Sequence, residues 1–419
     1  MLTGQILVQL IAVLLVVQIF GYLSGKIGQQ WVIGEILAGI VLGPSLLGAL
    51  WPQLEALLFP KSTLPTLQTL GDLGLILYMF SLGSRLDIQL ILHQSRKAAV
   101  VSLSGILVPF ALGLSLGFAF FHGLAGPNAN LFTFMITIGT ALSITAFPVL
   151  ARLLAEKNML GTPVGMLTLT CASVDDVIAW CLLAFVVASI HASGPLAILF
   201  IFAETAAFIG VMLLIVRPLF HYIVQYSRSS QLQIALTILV LLIAAYTTNQ
   251  IGIHPVFGAF LTGLILPRNV AFTQQVRGLD KINSLLFLPL FFVFSGLNTH
   301  IGQLQEPMLW MICLLFLAVA CLGKLFGGIF SARIMRESWR DALTIGILMN
   351  TRGLVELIVL NIGLQQGVLS PVLFSMLVIM AIVTTMMASP ILLLLGYRSR
   401  SVSEMASEVE HPAQAATGS

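Results

Sequence analysis

The sequence predicts an all-α polytopic membrane protein of about 13 spanning helices, built as two inverted-topology repeats with two crossed, interrupted helices. Three observations carry that expectation. Apolar stretches of about 20 residues succeed one another along most of the chain. Basic residues fall in alternate loops. Motifs of the first half recur in the same order in the second.

The composition points to lipid as the solvent. The chain is 58% hydrophobic and 8% charged, where a soluble domain carries about 25% charged residues. A water-soluble fold has no way to bury so much apolar surface. A net charge of +3, with no run of basic residues interleaved with aromatics, excludes a nucleic-acid partner. The start, MLTGQILVQLIAVLLVVQIFGYLSGK, lacks a charged opening and a small-residue cleavage site, so it reads as a first span and not as a signal peptide. Cys171, Cys181, Cys313 and Cys321 all lie in apolar segments without a CxxC or Cys/His cluster, and are expected to be buried structural thiols.

The predicted spans are roughly 5–24, 30–50, 66–84, 97–121, 130–154, 162–190, 195–221, 231–249, 254–268, 284–299, 308–332, 341–365 and 371–396. Of the 19 Lys and Arg residues, 16 follow odd-numbered spans, and only Lys61 follows an even one. The positive-inside rule then puts the N-terminus outside and the C-terminus in the cytoplasm, and the alternation supports an odd span count. The transmembrane unit is read as 1–398: repeat one about 5–190, a linker helix about 195–221, and repeat two about 231–396. The polar tail 399–419 is expected to be disordered and cytoplasmic, with no soluble regulatory domain after the membrane part.

The repeat is visible in three pairs of strings. GEILAGIVLGP (34–44) in span 2 matches GAFLTGLILP (258–267) in span 9. LYMFSLG (77–83) in span 3 matches LFFVFSG (290–296) in span 10. Thr137-Ile138-Gly139 in span 5 matches Thr344-Ile345-Gly346 in span 12. The offset is seven spans each time, and an odd offset turns the second copy upside down.

Two spans carry interruptions. In span 5 Pro148 removes a backbone donor, and Ser143 and Thr145 are placed to cap the freed groups. In span 12 Asn350-Thr351-Arg352-Gly353 is a polar break, with Arg352 at the position equivalent to Thr145. Half-helices that cross near the midplane point dipole ends and open carbonyls at a bound ion. A simple proline kink is the alternative at Pro148.

Ionised residues at the bilayer centre cost at least about 2.5–3.5 kcal/mol, which makes each one a functional candidate. Asp175 and Asp176 lie about 20 Å from the cytoplasmic end of span 6, near the middle. Neighbours on a helix point about 100° apart, so one carboxylate can face a cavity while the other faces a protein partner. Lys324 in span 11 lies roughly 13 Å from the cytoplasmic edge; it either snorkels to the interface or pairs with an aspartate. Arg352 and Glu356 are i, i+4 in span 12 and either pair with each other or leave Arg352 as fixed charge at the crossing. Glu35, Asp72 and Glu204 are expected to be structural hydrogen-bonding groups.

GEILAGIVLGPSLLG, ALSITAFPVLARLL, SVDDVIAW, FLPLFFVFSGL, GKLFGG and LMNTRGLVELIVLNIGL resemble the monovalent cation:proton antiporter superfamily, in particular its second branch of bacterial sodium/proton antiporters and plant cation/proton exchangers. The resemblance covers about residues 5–396. It implies a homodimer with a dimerisation domain and a mobile core. It implies secondary active exchange of a monovalent cation, Na⁺ first and K⁺ as the alternative, for protons, with no other cofactor. Asp176 is then the ion- and proton-binding carboxylate, and Asp175 the partner of Lys324. The paired aspartates and lysine resemble the electrogenic members. Ser143, Thr145, Ser173 and Asn350 are candidate oxygen ligands around Asp176 and Asp175, with Arg352 and Glu356 compensating charge. The chain departs from the potassium-efflux and plant members in having no long C-terminal domain.

Two rival readings fit less well. A cation channel lacks its repeated filter loop of the TVGYG type. An intramembrane aspartyl protease needs two aspartates on different helices sharing a proton, whereas these are adjacent on one.

Overall fold

The structure, a computed structural model, describes residues 2–85, 96–191, 195–226, 229–267 and 280–396. The predicted tail 399–419 lies outside them, as do Arg228, Arg268 and Arg277. The first stretch holds α1 (Leu2–Lys26), α2 (Trp31–Leu42) and α3 (Leu64–Arg85). The next holds α4 (Arg96–Leu124), α5 (Leu131–Ser143), α6 (Phe147–Glu156) and α7 (Pro163–His191). A long helix follows: α8 (Pro195–Val211) runs through one π turn (Met212–Val216) into α9 (Arg217–Tyr226). Then come α10 (Ser230–Ile251), α11 (Pro255–Leu264) and α12 (Leu288–Leu297), the last entered through a π turn at Asn283–Phe287. The chain ends with α13 (Pro307–Ile334), α14 (Trp339–Met349), α15 (Leu354–Gln365) and α16 (Pro371–Leu394).

Each predicted span falls on helix, though the count of thirteen crossings does not follow. Among the described residues nine helices are long and apolar enough to cross a membrane, and three shorter apolar ones accompany them. Span 2 is shorter as continuous helix than expected. It stops at Leu42 and restarts at Leu47–Leu50, because Pro44 disfavours the helical conformation at Gly43 before it.

Two bundles emerge from the helix contacts. α1–α3 pack with α10–α12, and α4–α7 pack with α13–α16. Each bundle thus takes helices from both halves of the chain. Glycines make the pairing concrete. A Cβ at Gly39 of α2 would strike the Val293 and Gly296 backbone of α12, and one at Gly263 of α11 would strike Phe80 and Ser84 of α3. Gly39 and Gly263 are matching positions of the repeated strings, and so are Val293 and Phe80. Inside the second bundle α4 and α7 run parallel and in register: Cys171 faces Ala98, and one turn on Asp175 faces Ser102.

Among the described residues, side-chain-mediated hydrogen bonds join the bundles at both ends. At the end with Lys26, Gln29 donates to Met386 O (3.1 Å) and Gln30 to Val149 O (3.0 Å). At the far end Asn361 donates to Ser295 Oγ (2.7 Å) and the His300 N–H to Ser375 Oγ (2.8 Å).

The cysteine expectation needs correction. Cys171 and Cys313 are buried, but Cys181 is exposed and Cys321 half-buried. A helix in lipid can turn an apolar side chain outward at no cost, so an apolar setting does not imply burial. Glu204 is likewise exposed on α8, Glu35 is buried and Asp72 half-buried.

Candidate functional site

The site forms where two broken helices cross. α5 stops at Ser143 and α6 starts at Phe147, leaving Ile144–Ala146 outside any helix, with Ile144 extended. Pro148 stands in the first turn of α6, where its missing N–H leaves no bond unmade. α14 stops at Met349 and α15 starts at Leu354. Both leading half-helices begin on a cap: Asn130 Oδ1 accepts from Thr133 N (2.8 Å) and Ser338 Oγ from Asp341 N (3.1 Å). The breaks touch directly. Ala146 N donates to Thr351 O at 3.0 Å. A Cβ at Gly353 would stand 2.8 Å from Val149 and 3.1 Å from Ala146, so glycine permits the approach.

Each break reaches the carbonyl end of the opposite helix. Arg352 donates from one terminal nitrogen to Ala141 O (2.8 Å) and from the other to Leu142 O (2.9 Å), placing a cation on the negative end of α5. It also meets Glu356 Oε1 at 3.2 Å, so both readings of Arg352 hold together. Thr145, the equivalent residue, lies 3.1 Å from Met349 O at the end of α14. The expectation that Thr145 caps its own helix is therefore corrected: it serves the opposite one.

α7 passes this crossing with both aspartates fully buried. Asp175 is well satisfied. Its Oδ1 accepts from Ser102 (2.5 Å) and its Oδ2 from Thr145 (2.8 Å), with Lys324 Nζ 3.6 Å from Oδ2. Lys324 is fully buried and also donates to Thr145 Oγ1 at 2.7 Å, so it does not snorkel. Asp176, turned about 100° away, has among the described residues only the Phe147 N–H near Oδ1, at 3.5 Å. Its Oδ2 is buried with no hydrogen-bond partner.

The other predicted ligands stand nearby in sequence but are otherwise engaged. Ser143 donates to Thr140 O and Ser173 to Leu169 O, each within its own helix (both 2.9 Å). Asn350 donates to Cys321 Sγ at 3.5 Å and keeps a buried, unpartnered Oδ1. Ser102 is the polar partner that the sequence reading missed. A serine in an apolar helix usually bonds back to its own turn, as Ser115 does to Ala111 O on the same helix. Only the register of α4 against α7 distinguishes the two.

A buried acid–base constellation at crossed half-helices is a transporter arrangement. A profile described as sodium/hydrogen exchanger, transmembrane, matches residues 11–394. The chain belongs to the sodium/hydrogen exchanger family. This exchanger-family chain is 42% identical over 398 residues to the Na(+)/H(+) antiporter NhaS4 of Synechocystis, covering 92% of the chain and 96% of that relative. It is 39% identical over 393 residues to Cation/H(+) antiporter 18 of Arabidopsis thaliana, covering 92% of the chain and 48% of the plant protein. The chain thus spans about half the length of that plant exchanger. The solved structure of the sodium proton antiporter MjNhaP1 from Methanocaldococcus jannaschii matches with a TM-score of 0.64 at 15% identity, over 93% of this chain and 96% of that one. At that identity the likeness bears on the fold alone. A sodium/hydrogen exchanger family is one of transporters, not of enzymes.

Proposed function

We propose that the chain is a secondary active antiporter that exchanges a monovalent cation, Na⁺ foremost, for protons by alternating access, with Asp176 the carboxylate that both share. One observation carries this: of two adjacent buried aspartates, Asp175 is satisfied by three side chains while Asp176 keeps a free oxygen. A bare carboxylate is too costly to carry across an apolar barrier. Either a proton or a cation neutralises it, so the loaded forms cross and the empty charged form does not. Obligatory exchange follows.

Asp175 and Lys324 are the neutralising pair beside it, and Arg352 with Glu356 the fixed charge at the crossing. Backbone carbonyls of the breaks, with Ser143, Thr145, Ser173 and Asn350, are the neutral oxygens within reach of a cation once the engaged hydroxyls turn. Repeat one (about 5–190) and repeat two (about 231–396) flank the linker helix, with the N-terminus outside and the C-terminus cytoplasmic in a bacterial-type membrane. The working form in this reading is a homodimer.

The test is a proteoliposome assay that follows internal pH on addition of Na⁺, K⁺ or Li⁺. Cation-dependent proton movement in the parent protein and none in Asp176→Asn is expected. Retained movement in Asp176→Asn sinks the shared-site mechanism. A response to K⁺ alone replaces Na⁺ as the substrate.

A further inference from the structure

Asp176 is fully buried in this structure, and a stacked aromatic pair follows it toward the far end. Trp180 lies four residues after Asp176 on α7. Residues i and i+4 share a helix face with Cβ atoms about 5–6 Å apart, and helical side chains lean toward the N-terminus. Trp180 therefore shares the helix face of Asp176, one turn further from the Lys26 end. It is 1% exposed, and its ring stacks on Phe260 at 5.8 Å between centroids and 26° between planes. Phe260 is 5% exposed and belongs to α11, in the other bundle.

The contact is thus between bundles, not within one. Its chemistry suits a contact that separates. Stacking adds little beyond burial and is not directional like a hydrogen bond. Trp180 Nε1 is buried without a partner, so no hydrogen bond ties the indole to either side. The Asn361–Ser295 and His300–Ser375 bonds cross between the bundles at the same end, so parting that end would break both.

We infer that the Trp180–Phe260 stack is the far-side gate over Asp176, which must part once in every transport cycle. The inference rests on the antiport reading. Movement of one bundle against the other opens a path along α7 only when the indole leaves Phe260. An apolar plug is the efficient barrier, because a hydrated ion finds no group there to replace its water.

The test uses the full chain with Cys171, Cys181, Cys313 and Cys321 replaced, carrying Trp180→Cys and Phe260→Cys. A short bifunctional methanethiosulfonate then bridges the pair. Exchange in vesicles is expected to fall to background when bridged and to return on reduction. Unchanged exchange in the bridged protein overturns the gate, since a contact that never opens tolerates a tether. The single Phe260→Cys variant gives a second, activity-independent reading. A membrane-impermeant maleimide is expected to label it from the far face, and faster when cation and proton are supplied together. Absent labelling under every condition, equal labelling under all conditions, or labelling from the Lys26 face overturns the proposal. If the unaltered chain shows no exchange, the antiport reading fails; if it exchanges and the bridged pair exchanges equally, the gate alone fails.

Discussion

Lys324 meets Asp175 through Thr145. The ammonium stands 2.7 Å from the threonine hydroxyl and 3.6 Å from the carboxylate Oδ2, and the hydroxyl is 2.8 Å from that same oxygen. The hydroxyl accepts from the lysine and has one proton of its own to donate. Thr145→Val is expected to lower thermal stability, since leaving buried polar partners unsatisfied costs about 1–3 kcal/mol. Thr145→Ser keeps the hydroxyl and should retain most of the stability. A thermal-shift series in detergent checks this, and equal losses for both variants would show that the bridge contributes nothing.

Asp175 and Asp176 are expected to respond in opposite directions to the same substitution. Asp175→Asn removes the counter-charge of a buried lysine and should destabilise by about 3–5 kcal/mol. Asp176→Asn removes a buried charge whose Oδ2 has no partner, and should leave stability unchanged or raise it. Chemical denaturation of the two variants side by side decides the point. Equal destabilisation would contradict the division of roles.

Lys324→Ala should cost about as much as Asp175→Asn, because either change strands a buried charge. The double variant should cost less than the sum, with a coupling of about 0.5–3 kcal/mol. A double-mutant cycle by thermal unfolding measures it. Strict additivity would mean that the pair is not coupled in the membrane.

Arg352→Lys is expected not to rescue Arg352→Gln. A single ammonium cannot reproduce the fork that reaches Ala141 O, Leu142 O and Glu356 together. Both variants should lose stability, with Arg352→Gln worse by the unpaired Glu356. Near-parental unfolding of Arg352→Lys would show that charge alone is needed there.

Exchange is expected to be electrogenic, with two protons for each cation. Asp176 supplies one proton, and the Asp175–Thr145–Lys324 relay the other when a cation disturbs the pair. Net positive charge then moves with the protons, at about 2.3 kcal/mol per charge per 100 mV. A potential negative on the proton-receiving side should accelerate turnover, and the opposite sign should slow it. Vesicles clamped with potassium and valinomycin, with sodium as substrate, provide the measurement. Indifference of rate and final gradient to both signs would establish one-for-one exchange.

Much of this arrangement was legible in the sequence. The helical spans, the interruptions near Pro148 and at 350–353, and the placing of Asp175, Asp176, Lys324 and Arg352 inside apolar segments follow from apolar length and from charge where charge is costly. What stayed hidden depends on rotation and register. Cys171 and Cys181 lie on one apolar helix, yet one is buried and the other exposed. Lipid tails are as apolar as a protein interior, so such a helix carries only a weak facing signal. Ser102, Ser143 and Ser173 look alike in apolar runs. Only the first turns to a neighbouring helix, and that choice is set by which helix lies opposite.

The crossing also records an inequality between two copies of one motif. Were the two equivalent positions both arginine, two buried guanidiniums would face one another across the breaks and repel. Were both threonine, neither carbonyl end would have a resident cation. With Arg352 in one and Thr145 in the other, the end of α5 is permanently neutralised. The end of α14 meets instead a hydroxyl that Lys324 also holds. Two helix ends that would otherwise look alike are thereby made chemically different. The matched breaks keep similar backbones, while the arginine at one and the threonine at the other give their helix ends unlike partners.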